Sequence, residues 1–199
     1  MFSAEQDNSA IDTQEADLDM VIRFQSGDEQ AFDELMARYK LPVVNFVYRI
    51  LNDAGEADDV AQEVFVRVYR HGRRFKADGK SRFSTWLFQI ARNQSLDVLR
   101  RRKRRPVETR DMRDGGDHSP MYAGPSADGE LSNKEIGEAV ARAVADLPEK
   151  QRTVVICAEY HGMSHAEIAG VMDCTVKSVE SRLARGRQAL RQKLSFLNG

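Results

Sequence analysis

The sequence predicts an all-α protein with two small helical domains joined by a flexible linker, the second domain containing a helix-turn-helix. Apolar residues recur at intervals of three and four through most of the 199 residues. This is the helical period, and no segment alternates with the period of a strand. A polar stretch rich in proline and glycine interrupts the pattern at 106–131. A chain of 199 residues suits one medium or two small domains.

Composition is that of an ordinary soluble protein, with 41% hydrophobic residues, 31% charged residues and a net charge of -1. The acidic N-terminus lacks the apolar run of a signal peptide, and no stretch approaches the roughly eighteen apolar residues of a membrane span. Cys157 and Cys174 form no CxxC pair, so a disulfide framework and a zinc site are both disfavoured. We expect a cytoplasmic protein without cofactor, metal or membrane insertion.

The composition of successive segments predicts the boundaries of the tail, the two domains and the linker. Residues 1–17 are polar and acidic, without lysine or arginine, which predicts a disordered tail. Helical periodicity is expected to define a first domain at 18–105. The linker spans 106–131, because a structureless loop of that length is uncommon inside one compact domain. Periodicity returns in a second domain at 132–199.

Helix signals order the first domain. Asp28 is expected to cap a long helix that Pro42 kinks or restarts, and Gly72 ends the next helix. After a polar loop, Ser84 or Thr85 is expected to cap a further helix that runs into the basic residues.

The second domain has the most specific local pattern, MSHAEIAGVMDCTVKSVESRLARGRQALRQKL at 163–194. Ser164 and Glu167 have the spacing of a capping box. Asp173 stands in the turn, where a left-handed conformation is common and Asp is tolerated. Val176, Val179 and Leu183 are the expected buried stripe of the second helix.

That second helix carries a basic outer face with one acid, Glu180. Arginine at the start of a recognition helix can bond guanine edges in the major groove, and arginines further along suit phosphate. The alternative is a helical hairpin with a solvated basic face. The candidate DNA-contacting residues are Lys177, Ser178, Ser181, Arg182 and Arg185.

The helix ending in RRRKRR at 100–105 has two distinct faces at about 100° per residue. One is apolar and faces the core. The other aligns Trp86, Asn93 and Arg100. Single-strand binders place unstacked bases on aromatic rings and hold phosphates with basic groups. Taken singly, the tryptophan also suits a core position, and the basic run also suits a nuclear localisation signal or a solvated helix end.

Three segments together resemble the extracytoplasmic-function (ECF) sigma factors of bacterial RNA polymerase. FSTWLFQIARNQSLDVLRRRKRR at 83–105 is similar to their promoter-melting helix, and EADDVAQEVFVRVYRH at 56–71 to their polymerase-binding helix. LPEKQRTVVICAEYHGMSHAEIAGVMDCTVKSVESRLARGRQAL at 147–190 is similar to their -35-binding domain. The resemblance covers about residues 18–197 in the family's order.

The resemblance implies a role at the -10 element for the first domain. Asn93 matches the position that contacts a flipped base, Trp86 supports the pocket, and the loop 75–82 closes over the base. The basic residues 100–105 would hold the backbone. The implied -10 contacts are Phe75, Lys80, Trp86, Arg92, Asn93, Arg100, Arg101 and Arg104.

The same resemblance implies the partners. Asp59, Gln62 and Glu63 would meet the clamp helices of the largest subunit of core RNA polymerase, with further contact at the flap region. Promoter DNA and an anti-sigma factor are implied, and no small-molecule substrate. Glu180 departs from the family pattern and would shift base preference at the -35 element.

Two other hypotheses remain open at this point. A repressor or activator would use only the helix-turn-helix and would leave the Trp86–Asn93–Arg100 alignment without a role. An RNA-processing enzyme or nuclease would need a metal or nucleophile cluster, and the four histidines form none with paired carboxylates. The sequence therefore favours a non-enzymatic sigma factor.

Overall fold

The computed structural model describes residues 4–76, 82–104 and 130–198. All regular structure in these ranges is helical and none is strand, which confirms the predicted all-α class. The α-helices are α1 (Ala4–Gln25), α2 (Glu29–Leu51), α3 (Ala54–Gly72), α4 (Phe83–Arg104), α5 (Glu130–Ala145), α6 (Glu149–Val155), α7 (His165–Met172) and α8 (Val176–Lys193). A π-helical turn, Ile156–Tyr160, continues α6, and a 3-10 turn, Ser195–Asn198, follows α8.

Helices α1 to α4 form an N-terminal bundle around one apolar core that includes Leu35, Phe46 and Leu87, each at most 2% exposed. The Asp28 side chain accepts hydrogen bonds from the backbone N–H groups of the next turn, so it caps α2 as expected. Pro42 lies inside α2, which continues to its end at Leu51 without restarting.

The junctions between these helices differ from the expectation at one place. Gly72 ends α3 as predicted. However, α4 begins at Phe83, so neither Ser84 nor Thr85 is its cap. The Ser84 hydroxyl instead bonds the Tyr39 side chain in the bundle.

The N-terminal segment also differs from the predicted disordered tail, because α1 begins at Ala4. Asp17, inside the supposed tail, is only 4% exposed. Its carboxylate accepts from the Tyr39 hydroxyl and from Arg38 Nη1 at 2.8 Å. This acidic segment therefore contains one buried carboxylate, Asp17, that fixes α1 to α2.

Helices α5 to α8 form a C-terminal bundle that holds the helix-turn-helix. Ser164 and Glu167 form the predicted capping box at the start of α7. Asp173 adopts the left-handed conformation, with φ 49°, in the turn before α8. Thr175 caps α8 by accepting from the N–H of Ser178. The predicted helix-turn-helix is therefore present.

The buried stripe of α8 is shorter than predicted. Val179 and Leu183 are buried at 0% and 3% exposure, but Val176 is 41% exposed. Val176 is the first residue of α8, at the end of the predicted stripe. Gly186 lies close to α6, since a Cβ there would stand 2.8 Å from Val155 Cγ2.

The two bundles contact one another, with α7 lying along α4. Nearly all of the predicted linker 106–131 lies outside the described residues, and α5 begins at Glu130. Of the helices that are described, none combines the length and the apolar character needed to cross a membrane.

Candidate nucleic-acid interface

Trp86 belongs to an aromatic cluster at the start of α4. Its ring centroid lies 5.2 Å from that of Phe75 and 5.9 Å from that of Phe83. Phe83 is buried, whereas Trp86 and Phe75 are half-buried. The structure thus brings together two predicted -10 residues, Trp86 and Phe75, although one follows α3 and the other lies in α4. One part of the indole is fixed by packing and another remains accessible.

Asn93 is exposed two turns further along the same side of α4. Its Oδ1 accepts from Arg92 Nη1 at 3.3 Å, a long contact that leaves the amide NH2 group available. We use the name α4 edge for three residues spaced seven apart along one side of the helix: Trp86, Asn93 and Arg100. An indole, an amide and a guanidinium on one line can stack a base, bond its edge and hold a phosphate.

Arg92 does not join that edge. Its side chain is only 13% exposed and lies 3.9 Å from Glu149 of α6. It therefore faces the C-terminal bundle in this arrangement, and not solvent, unlike a residue poised to hold a DNA backbone.

The basic end of α4 divides into two sets. Arg100, Arg101 and Arg104 are exposed, and Arg100 pairs with Asp97 at 3.1 Å. Arg102 instead turns inward, where Nη1 donates to the backbone oxygen of Leu51 at 2.9 Å. The exposed set remains able to meet phosphate, and Arg102 serves the fold.

Two carboxylates complete the inward site of Arg102. Its Nη2 lies 2.5 Å from Glu56 and 3.6 Å from Asp53, both at the start of α3. Arg102 thereby ties the end of α2 and the start of α3 to α4. Lys80, predicted as a -10 contact, lies outside the described residues, as do residues 77–81 of its loop.

The outer face of α8 presents Lys177, Ser181 and Arg185 to solvent, while Ser178 and Arg182 are half-buried. Arg182 Nη1 lies 3.2 Å from the Sγ of Cys174, which orients the guanidinium near the turn. The positive groups on the first turns of α8, Lys177 and Arg182, have the placement of a major-groove reader.

Glu180 lies on the exposed face of α8, with Oε1 3.8 Å from Nδ1 of His165 in α7. This pair links the two helices of the helix-turn-helix at the surface. Its carboxylate remains 56% exposed, so it can still accept from a base.

A third surface lies on α3, where Asp59, Gln62 and Glu63 are exposed opposite the core stripe. Glu63 pairs with Arg67 at 3.2 Å. The same face also exposes Val66 and Tyr69, at 40% and 43%. The acidic surface is therefore bordered by apolar groups, which is typical of a protein-binding face.

Within the part of the chain that is described, no group of three or more His, Cys, Asp or Glu side chains is placed to hold a metal. Burial raises the pKa of the Cys157 thiol to about 12, so this group stays protonated and packs as a small core residue.

Comparison with known proteins gives two family matches, which fall on the two bundles. Residues 35–105 match Sigma-70 region 2, and residues 137–190 match Sigma-70, region 4. The RNA polymerase sigma-H factor of Pseudomonas aeruginosa is 37% identical over 190 residues, or 93% of this chain and 97% of that protein. The ECF RNA polymerase sigma-E factor of Escherichia coli K12 is 34% identical over 185 residues, 89% and 94% of the two chains. The chain belongs to the ECF sigma factors.

Solved structures share the fold of this sigma factor. CnrH, determined in complex with the cytosolic domain of CnrY, has a TM-score of 0.65 at 26% identity and covers 90% of this chain and 97% of its own. The sigma factor RpoE of Bartonella quintana, in complex with the anti-sigma factor NepR, has a TM-score of 0.63 at 22% identity, with coverages of 82% and 96%.

Membership of the family sets the function. A sigma factor is a transcription initiation factor that works with core RNA polymerase at promoter DNA, and it is not an enzyme. The α4 edge lies within the region 2 match and the outer face of α8 within the region 4 match.

Sequence reasoning missed the inward arginines of this sigma factor. The sequence prediction places Arg102 among the backbone-holding residues 100–105, although its helical angle differs from that of Arg100 by about 200°. That angle, together with the acids at Asp53 and Glu56, was a usable signal. Nothing local in the sequence pairs Arg92 with Glu149, because they lie in different bundles.

Proposed function

We propose that this sigma factor opens the -10 element by holding unpaired non-template bases against the α4 edge while α8 anchors the -35 element. One observation carries the proposal: a half-exposed indole and an exposed amide share one side of a helix that ends in exposed arginines. A duplex reader has little use for an aromatic group in that position, whereas an unstacked base offers it a π-face.

The energetics allow opening by binding alone. Extruding a base costs a few kcal/mol, and stacking on an aromatic side chain returns about 1–3 kcal/mol per base. The free amide NH2 of Asn93 adds a hydrogen bond to a base edge. Arg100, Arg101 and Arg104 then neutralise phosphates of the captured strand, which makes the complex sensitive to salt.

At the -35 element, the exposed side chains of Lys177, Ser181 and Arg185 enter the major groove, and Arg182 and Ser178 contact its rim. Arg185 is the candidate for a bidentate bond to guanine O6 and N7. The Glu180 carboxylate is the candidate for accepting from cytosine N4. These two side chains set much of the base preference.

The surface of α3 is the proposed polymerase face. Asp59, Gln62 and Glu63 complement basic clamp helices of the largest polymerase subunit, and the C-terminal bundle contacts the flap region. Opposite charges speed and orient such an encounter. We place this assembly in the cytoplasm, where polymerase acts.

An anti-sigma factor is the proposed regulator. CnrH was solved bound to the cytosolic domain of CnrY, and RpoE bound to the anti-sigma factor NepR. These complexes support the idea that a protein of that class covers the polymerase-facing surfaces of this chain.

Run-off transcription tests the proposal. Purified core polymerase is combined with the full-length chain on a library of randomised -35 and -10 sequences, and transcripts are sequenced. We expect enrichment of one -35 and one -10 motif at fixed spacing. Absence of any promoter-dependent transcript above core alone would reject the function. Enrichment of a -35 motif without a -10 motif would reject the role of the α4 edge and favour a duplex-only regulator.

A further inference from the structure

The contact between the two bundles is closely fitted along α4 and α7. A Cβ at Gly170 of α7 would stand 2.6 Å from Thr85 Cγ2 of α4, so any larger residue at 170 forces a shift. Beside it, Arg82 Nη1 lies 2.8 Å from the Glu167 carboxylate, a pair that joins the two bundles. Thr85 and Arg92 are seven residues apart and occupy the same side of α4, so α7 and α6 together cover this side.

The C-terminal bundle also contacts the end of α2. Arg152 Nη1 donates to the backbone oxygen of Ile50 at 2.8 Å, while Nη2 reaches the oxygen of Leu147 in its own bundle at 3.2 Å. The Arg49 guanidinium lies 3.5 Å from the centroid of the Tyr160 ring. These are directional contacts with backbone oxygens of buried residues and with an aromatic face, so they favour one docking geometry.

His161 stands at the centre of this interface. Its ring lies 4.9 Å from the ring of Phe88 in α4 and 5.6 Å from that of Phe46 in α2. Its Nε2 is buried and finds no hydrogen-bond partner among the described residues. A neutral imidazole fits between two aromatic rings, but an imidazolium would be a desolvated cation with one N–H unsatisfied.

The charged groups around His161 do not compensate a positive charge at its ring. Arg49 of α2 faces it with the same sign. Asp17 of α1 and Tyr39 of α2 line an adjoining cavity of about 450 Å³, as do Arg82 of α4 and Glu167 of α7. Asp17 is engaged by Tyr39 and Arg38, and Glu167 by Arg82. His161 also lines this cavity, which is partly open to solvent, so protons reach the interface.

We propose that the two bundles of this sigma factor form a closed state that acid opens, with His161 as the proton-sensitive element of the interface. Opening separates α7 from the Thr85 side of α4 and frees Arg92 from Glu149. The consequence for promoter DNA rests on the proposed function, because it assumes that α4 and the helix-turn-helix must separate to reach two promoter elements. The opening itself does not depend on that assumption.

The direction of the pH effect follows from the two states. Burial, and secondly Arg49, lowers the pKa of His161 from 6.5 to about 4 in the closed state. In the open state the ring is solvated and the pKa returns towards 6.5. The closed state is therefore fully favoured above that value and loses stability as pH falls from 6.5 towards 4. From these two pKa values, the open-to-closed ratio at pH 5 rises about 20-fold over its value at pH 7.

Small-angle X-ray scattering of the full chain, without polymerase or DNA, measures this opening. The radius of gyration is determined at pH 7.5, 6.0 and 5.0, with far-UV circular dichroism to confirm that the helices persist. We expect the wild-type radius to grow between pH 7.5 and 5.0. His161→Phe keeps an apolar ring between Phe46 and Phe88 and should remain compact at every pH. Because all other titratable groups are unchanged, the comparison isolates His161.

A matched pair of glycine substitutions tests the closed contact at constant pH. Gly170→Gln should give the larger, open radius already at pH 7.5, since its side chain cannot fit against Thr85. Gly137→Gln on α5, where a Cβ meets nothing within 4 Å, should behave as wild type. If Gly170→Gln stays as compact as Gly137→Gln, the closed state is wrong. If the wild type does not expand at pH 5.0, or His161→Phe expands equally, the role of His161 is wrong. Either result leaves the transcription assay of the proposed function unaffected.

Discussion

Helices α4 and α8 are both rich in arginine, but they use it in different ways. In α4, Arg92 is 13% exposed at its side chain and Arg102 is 31% exposed, and both bond groups of other helices. In α8, Arg185 projects into solvent, and Arg187 pairs with Glu159 of the π-helical turn at 2.7 Å. The first helix combines structural cations with cations that are exposed to solvent, whereas the second keeps Lys177 and Arg185 exposed on its outer face.

The difference comes from helix geometry. Successive residues turn by about 100°, so six consecutive basic residues cannot all face one strand of DNA. Arg102 is the member of the run that points at the acidic start of α3. The basic run in the sequence identifies the helix. The angular position of each basic residue, and the groups it contacts, decide which cations remain exposed.

Replacing Arg102 should produce the largest effect on stability. Arg102→Ala leaves the Leu51 carbonyl without its donor and Glu56 without its partner. We expect the free energy of unfolding to fall by about 2–3 kcal/mol, because partly buried groups lose their bonds. Urea denaturation followed by circular dichroism measures it. Arg101→Ala, its exposed neighbour, should change the value by less than about 0.5 kcal/mol. Equal losses in both variants would show that Arg102 has no special structural role.

Replacing Arg185 should weaken duplex recognition by α8. Loss of a bidentate base contact costs about 1–3 kcal/mol, so Arg185→Ala should bind a -35 duplex about tenfold or more weakly in fluorescence anisotropy. Arg187→Ala is the matched control, since Glu159 already engages its guanidinium. A scrambled duplex should bind Arg185→Ala and wild type with similar affinity. If Arg187→Ala loses more affinity than Arg185→Ala, the recognition face is misassigned.

Removing the cap of α8 should have an intermediate effect. Thr175→Ala deletes the hydroxyl that accepts from Ser178 N–H at 3.3 Å. We expect a loss of about 1 kcal/mol in the free energy of unfolding of the C-terminal bundle. Thr175→Ser retains the hydroxyl and should lose little. In contrast, Ser84→Ala should not show the loss of a cap, because α4 begins before it.

Arg100→Ala should have the smallest effect on the fold. Its pair with Asp97 is exposed at 65% and 56%, and such pairs contribute little. The free energy of unfolding should therefore change by less than about 0.5 kcal/mol. For binding of single-stranded -10 DNA, the slope of log K against log salt should instead become shallower by about 0.7. An unchanged salt slope would remove Arg100 from the phosphate contacts.

The sequence predicted the local features of this molecule well. Asp28, Ser164 with Glu167, and Asp173 are caps and turns whose chemistry acts within a few residues. Periodicity likewise located the helices from residue 18 onward and the α4 edge, because a helix wheel depends on spacing alone, but it did not find the part of α1 that lies in the acidic segment.

Prediction from the sequence failed for residues whose contact partners are distant along the chain. Asp17 reads as part of an acidic tail until Tyr39 and Arg38 are placed beside it. Nothing local in the sequence places His161 beside Phe46 and Phe88, because these rings belong to α2 and α4. Composition shows that a residue is polar, but it does not identify the group that pairs with it. Contacts between the two bundles therefore could not be predicted.

The central claim is that the α4 edge holds unpaired bases, separately from anchoring by α8. It is tested most directly by 2-aminopurine placed in the non-template -10 strand, with polymerase holoenzyme at saturating concentration. Asn93→Ala should lower the fluorescence change of promoter opening about tenfold, with core binding and thermal stability unchanged. Arg185→Ala should recover full opening at saturation, because its defect lies in anchoring. Opening by Asn93→Ala at the wild-type level would contradict the account.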